Sequence, residues 1–475
     1  MLTASAWMIA MRWAMRGIGL ISTIVIARIL APQDFGIIAM GMVVVGLLET
    51  LSFLGVDLVL IQRDDVTRAH FDTAWTISIL QGLLIAAILV GAAPIAADAF
   101  SEPRVTPVIM VLALRSIIGG FENVGTISFR RDLNFAKDFR FGVYKKLVSF
   151  AITVGCALVM RNYWALAVGM VAGRLVEVAL SYQLHPYRPR FSLSEWHSVW
   201  SFSKWLFILN LGYYARNRAD EMVVGYLSGT TAMGQYHIGA YVATSCGEEV
   251  ALPLARALFP NFARQASTPE LLMQSCLRMM RIIAPVVISI SFGMIAVAHD
   301  MVLVVLGEKW LGAVPIVQAL ALYSAIFGIS HGIFTLSVAV GRVRLMAVIT
   351  ILQGAVLFLG CLGIGALYGV EAVAVTRTVI ALVTMPILFY VMTKLGPVSL
   401  GQLVETFWRP LVASIVMVAI VWALHAPGID APTLRLLLDV SVGATVYALT
   451  SLLLWRVAGR PDGLERLVLR QLRII

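Results

Sequence analysis

The sequence predicts an all-α polytopic membrane protein, with about fourteen transmembrane helices in two pseudo-symmetric six-helix lobes followed by two C-terminal helices. Three observations predict it. Of 475 residues, 60% are hydrophobic and only 13% charged, with a mean hydropathy of +0.89, more apolar surface than a soluble core hides. Apolar runs of about 20 residues, enough to span the hydrocarbon core of a bilayer, recur along the whole chain. The first half also repeats in the second: Ser5-x-Trp7 returns as Ser203-x-Trp205, and Gly36 and Gly41 return as Gly234 and Gly239, an offset of 198 residues.

The elements follow in order from those runs and the polar or Pro/Gly breaks between them. Arg12 and Arg16 interrupt what would be the apolar region of a signal peptide, so residues 4–27 read as the first helix. Further helices are expected near 35–61, 73–97, 105–127, 140–160 and 163–184, then 200–226 and 232–259 on either side of Gly229. The rest fall near 280–298, 312–340, 343–367 and 371–393 on either side of Gly369, 408–424 and 434–456. The segment Phe191 to Trp200 and the tail after Gly463, whose leucines and arginines segregate at helical spacing, read as interfacial. An even number of helices separates repeat-related positions, so the halves point the same way, related by an axis along the membrane normal. The expected organisation is an N-terminal lobe over 1–190, a C-terminal lobe over 191–395, and a last pair of helices with a cytoplasmic amphipathic tail over 396–475.

Lys and Arg total 36 against 26 Asp and Glu, a net charge of +10. Topology explains that excess, and nucleic-acid binding is not expected. Connections after even-numbered helices and the tail hold most of the cations, among them Arg63, Arg68, Arg130, Arg131, Arg188, Arg190 and Arg264. The opposite connections hold Arg28, Arg104, Arg161, Lys309 and Arg435. The rule that cytoplasmic loops are basic places both termini in the cytoplasm. Cys156, Cys246, Cys276 and Cys361 lie in or beside apolar runs without metal-ligand spacing, so neither a disulfide framework, a metal site nor a cofactor is expected.

Charges inside the apolar runs are the candidate functional residues, because an ionisable side chain at mid-bilayer costs about 2.5–3.5 kcal/mol and faces a bundle interior or a water-filled path. The seventh helix carries Arg216, Arg218, Asp220 and Glu221. Arg216 with Asp220, and Arg218 with Glu221, share helix faces and could neutralise each other; a substrate-facing role stands beside that reading. Arg12 and Arg16, one turn apart, are like charges that require an anion. Internal candidates are Glu49 and Asp57 on the second helix, Glu122, Glu177, and Glu248 or Glu249 on the eighth. The external candidate is an anionic substrate, for which the planar, always charged guanidinium is suited to diphosphate. No Gly-rich phosphate loop, His/Cys cluster or long acidic catalytic loop is present, so no catalytic residue is expected.

Several segments in order, ILAPQDFG, SFRRDLNFAKDF, SKWLFILNLGYYARNRADEMVVG, ALFPNFAR and GEKWLGAVPIVQALALYS, resemble the oligosaccharide flippases of bacterial polysaccharide export. These belong to the superfamily that also holds lipid II flippases and multidrug exporters, and the resemblance points to the colanic-acid-type subgroup. It implies two six-helix lobes with a cationic cavity bounded mainly by helices 1, 2, 7 and 8. The implied substrate is an oligosaccharide repeat unit, for lipopolysaccharide or exopolysaccharide, on undecaprenyl diphosphate. The implied location is the bacterial inner membrane, and the implied partners are the lipid-linked oligosaccharide, membrane lipids, and polysaccharide polymerase and export machinery. By location on matching helices, Arg12, Arg16, Arg216, Arg218 and Arg256 are the expected substrate-binding cations. Glu49, Asp57, Asp220, Glu221, Glu248 and Glu249 are expected counter-charges or coupling groups. Within the superfamily, a lipid II flippase or an ion-coupled multidrug exporter stands as the alternative, with a membrane glycosyltransferase or ligase behind them.

Overall fold

In the computed structural model, residues 2–52, 60, 66–132, 135–265, 268–424 and 431–471 are described, and no strand occurs among them. The chain gathers into two compact units, Met1–Gly234 and Gln235–Ile475. The first holds α1 (Leu2–Ile29), α2 (Pro32–Leu51), α3 (Arg68–Ala99), α4 (Val105–Gly120), α5 (Phe135–Met160), α6 (Trp164–Leu184) and α7 (196–228). α8 (230–265) begins there and continues into the second, which holds α9 (Pro269–Val305), α10 (Val314–Ala339), α11 (343–368), α12 (370–395), α13 (Leu400–Leu424), α14 (Pro432–Val457) and the tail helix α15 (Leu464–Gln471).

Two breaks set this order. Hydrogen bonding runs nearly unbroken over Trp196–Gln265 and Val343–Leu395, 70 and 53 residues. Straight helices of those lengths would measure about 105 and 80 Å, far beyond a hydrocarbon core of about 30 Å. Each is interrupted at a glycine with positive φ, Gly229 at 72° and Gly369 at 81°, a conformation that glycine adopts without a Cβ clash. With Val343–Leu395 counted once, nine helices of the described residues are long and apolar enough to cross a membrane. α1, α4 with its 16 residues, and the charged 196–265 run fall outside that number. The chain is a multi-pass membrane protein.

Several expected boundaries differ. The fourth helix, expected to reach residue 127, ends at Gly120, after which the Asn123 side chain accepts a hydrogen bond from Gly125 N at 2.9 Å and starts a 3₁₀ turn. The ninth, expected over 280–298, runs over Pro269–Val305. Its first turns carry Arg278 and Arg281, so apolar content marks only the middle of a rod about 55 Å long.

In the first unit, α3 packs on α4, α5 on α6 and α1, and α4 on α6 and α2. Asp34, in the first turn of α2, accepts from Ala31 N and Tyr163 N, both at 3.0 Å, and so ties the start of α2 to the start of α6. The repeat appears as a reciprocal close approach inside this unit. A Cβ on Gly36 would lie 1.7 Å from the Thr230 carbonyl, and one on Gly234 would lie 1.8 Å from the Pro32 carbonyl. Pro32 and Thr230 are themselves 198 residues apart, so both contacts obey the sequence repeat.

The segment after α6 is bonded to α3. Asp72 accepts from Tyr187 Oη at 2.6 Å and from Arg190 N at 2.7 Å, Ser192 N donates to Thr76 Oγ1 at 2.9 Å, and Phe191 packs on Trp75. His185 accepts from Tyr187 N at 3.2 Å. Burial, with Lys137 and Arg188 nearby, holds its imidazole below the usual histidine range.

In the second unit, α9 packs on α10, α13 and α14. The amphipathic tail is docked: Glu465 of α15 is buried, with Arg409 Nη1 and Ser451 Oγ at 3.4 and 3.3 Å, and Trp455 Nε1 donates to the Pro461 carbonyl at 2.9 Å.

Candidate functional site

The first unit carries its charges inside the helix bundle. Arg174 of α6 reaches Glu122, just beyond α4, at 2.9 Å and Glu177 of its own helix at 2.5 Å. Arg115 of α4 holds Glu49 of α2 at 2.6 Å. Three carboxylates expected as partners for Arg12 and Arg16 thus have other arginines against them. Arg16 is half-buried on α1, its Nε enclosed by protein. Lys146, on the neighbouring α5, lies within electrostatic reach of Arg16, Lys145 and Glu177. The structure therefore gathers cations from α1, α4, α5 and α6 around three glutamates, and such a set can accept an added anion.

α7 packs against α2 through Tyr214, whose hydroxyl donates to the Val43 carbonyl and whose ring lies 3.4 Å from where a Cβ on Gly46 would stand. On the same helix Arg218 pairs with Glu221 at 2.6 Å, the i,i+3 pairing that the spacing allowed, with Glu221 buried and Arg218 exposed. Arg216 is half-buried with its guanidinium 5.5 Å from the Tyr213 ring centroid, and its Nε is buried without a hydrogen bond. Asp220 is fully buried. Asp57 and the side chains of Arg12, Arg256, Glu248 and Glu249 lie outside the described residues. Arg115 and Arg174 fall inside the runs expected as helices over 105–127 and 163–184 and were not among the expected site residues. The i,i+3 spacing of Arg174 and Glu177 was the available signal, whereas Glu49 and Arg115 are 66 positions apart.

In the second unit, Arg435 grips Asp300 through two hydrogen bonds, at 2.5 and 2.6 Å, and Arg281 stands 3.7 Å from Glu405. Arg377 of α12 is buried, 4.3 Å from the Tyr323 ring centroid of α10.

The family model described as "Polysaccharide biosynthesis protein" matches residues 25–315. The lipopolysaccharide biosynthesis protein WzxC of Escherichia coli is 24% identical over 419 residues, 86% of this chain and 84% of that protein. The succinoglycan biosynthesis transport protein ExoT of Rhizobium meliloti is 23% identical over 468 residues, 94% of this chain and 92% of that protein. Among solved structures, the lipid II flippase MurJ in an inward closed conformation superposes with a TM-score of 0.77 over 95% of this chain and 99% of its own, at 12% identity. An inward-facing multidrug resistance MATE transporter gives 0.59 over 80% and 94%, also at 12%. The fold is that of the MurJ and MATE transporters.

Proposed function

This chain belongs to the polysaccharide biosynthesis protein family, and from that premise we propose that it is a flippase, not an enzyme, for a polysaccharide precursor. It moves an undecaprenyl-diphosphate-linked oligosaccharide repeat unit from the cytoplasmic to the periplasmic leaflet of the inner membrane by alternating access, with both termini cytoplasmic. The observation that carries the reading is the gathering of Arg16, Lys146, Arg174 and Arg115 within one helix bundle of a transporter fold.

The physical problem is the headgroup. Burying an isolated ion in hydrocarbon costs tens of kcal/mol by Born estimates, and guanidinium groups that meet the diphosphate as water leaves remove most of that cost. Arg12, Arg16, Arg216, Arg218 and Arg256 are the proposed contacts, with Glu49, Asp57, Asp220, Glu221, Glu248 and Glu249 as counter-charges or coupling groups. Exposing the site alternately to the two sides carries the headgroup across while the lipid tail stays in the bilayer. With the cytoplasm negative, outward movement of net negative charge gains about 2.3 kcal/mol per charge per 100 mV. An exporter of amphipathic cations would be expected to present an acidic site, opposite to this one.

The test is reconstitution into liposomes with the lipid-linked oligosaccharide in one leaflet. Transfer to the other leaflet with unchanged mass supports the reading; a changed mass identifies an enzyme, and no transfer under any ion gradient or potential refutes the flippase.

A further inference from the structure

The least covered face of α10 presents rings. Tyr323, Phe327, His331 and Phe334 follow one another along it with ring centroids 6.2, 5.5 and 6.3 Å apart, and the His331 ring is tilted by 24° from Phe327 and 16° from Phe334. At its buried end the file continues into the guanidinium of Arg377 over Tyr323. Tertiary packing fixes the register. Thr378 Oγ1 donates to the Ala319 carbonyl at 2.8 Å, Gly247 N donates to Ser324 Oγ at 3.0 Å, and α9 comes close at Gly328 and Gly332. Those contacts hold α10 against α12, α8 and α9.

What remains open is not a lipid-facing surface. α11 and α12 expose Leu352, Leu359, Leu382 and Val383, as a helix against acyl chains does, while no large hydrophobic of α10 is exposed among the described residues. Phe327, His331 and Phe334 are half-buried, beside Ser330 and Thr335. Both of these hydroxyls turn back to donate to carbonyls of their own helix, Phe327 O and His331 O, which leaves the rings as the projecting surface. An imidazole on such a face belongs to the bundle interior or a water-filled path, since an ionisable group in lipid is costly.

A surface of offset, near-parallel rings suits one chemistry in particular. A pyranose carries axial C–H groups that lie favourably on the electron-rich faces of aromatic rings. An acyl chain would gain nothing over leucine. We propose that Phe327, His331 and Phe334 form a carbohydrate-stacking site, with Tyr323 and Arg377 fixing its buried end. This rests on the flippase reading and deepens it, assigning the sugar portion of the substrate to the second unit.

The experiment titrates the full chain in nanodiscs with two probes, read by native mass spectrometry. One is undecaprenyl diphosphate, and the other is the undecaprenyl-diphosphate-linked oligosaccharide extracted from the host membranes. The variants are Phe327→Leu with Phe334→Leu, which removes the rings at similar volume, and Phe327→Tyr with Phe334→Tyr, which keeps them. The leucine pair is expected to weaken the sugar-bearing lipid about tenfold and leave undecaprenyl diphosphate unchanged, while the tyrosine pair binds both as wild type does. Unaltered binding of the sugar-bearing lipid by the leucine pair overturns the stacking site alone. Equal weakening of both lipids overturns it too, because the face would then act through the fold. If wild type binds neither probe, the flippase reading falls and takes this site with it.

Discussion

In the first unit one cluster of ion pairs joins α2, α4 and α6, at Glu49–Arg115 and at Arg174 between Glu122 and Glu177, with Arg218–Glu221 on α7 and further pairs at helix starts, whereas in the second the pairs of the described residues are separate, at Asp300–Arg435, Arg281–Glu405 and Arg409–Glu465. Among the described residues, the second unit buries Arg377 against the Tyr323 ring and Arg409 against the docked tail. The backbone plan nonetheless repeats, down to the reciprocal approach of Gly36 and Gly234. Close packing constrains both copies of a repeat alike, because a side chain at either glycine would meet a carbonyl. Side chains facing a substrate carry no such symmetry when the substrate is charged at one end and sugar at the other.

That contrast can be broken experimentally, and the largest effect is expected at Arg174. Alanine there leaves Glu122 and Glu177 close together in a bundle without their common cation, at a cost of about 3 kcal/mol. The midpoint of thermal unfolding in detergent should fall, and adding Glu122→Gln and Glu177→Gln should recover most of it. A stable single variant would mean that the charge network is not structural. Next in size is Arg409→Ala. Glu465 would be left buried, at about 2 kcal/mol, and backbone amides of the tail over 464–471 should exchange hydrogen faster while those of α10 do not change. Arg218→Ala should cost less, roughly 1 kcal/mol, because Arg218 is 45% exposed and its pair with Glu221 is partly screened. Double-mutant analysis with Glu221→Gln measures it.

The smallest effect distinguishes the segment docked on the first unit from the tail docked on the second. His185 has a folded pKa below its ordinary value of about 6.5, so its neutral form is favoured by folding. That contribution is complete above the ordinary value and is lost as pH falls through it. Amides over 186–195, corrected for intrinsic exchange, should therefore exchange faster at pH 5.5 than at pH 7.5. His185→Asn should flatten the difference, and the tail should show none.

Much of the fold was legible in the sequence because its signals are local. The gaps expected between 226 and 232 and between 367 and 371 enclose Gly229 and Gly369, where the backbone breaks, and the offset of 198 residues marked packing that both halves share. The Arg218–Glu221 pair followed from i,i+3 spacing. Pairings that depend on which helices become neighbours were not legible: Glu49 with Arg115, Arg435 with Asp300, and Arg377 over Tyr323 join residues far apart in the chain. The docking of the segment after α6 was also missed. Asp72, Thr73 and Thr76 of α3 supply acceptors for its backbone amides.

The central claim, that cations of the first unit receive the diphosphate, is tested most directly by translocation of the lipid-linked oligosaccharide in liposomes. Wild type is compared with Arg12→Ala plus Arg16→Ala at equal folded amounts. The account predicts that the variant stays folded and loses most translocation, at least about tenfold, as expected when charge-assisted contacts worth about 1.5–3 kcal/mol each are removed. Equal rates for the two proteins would contradict it.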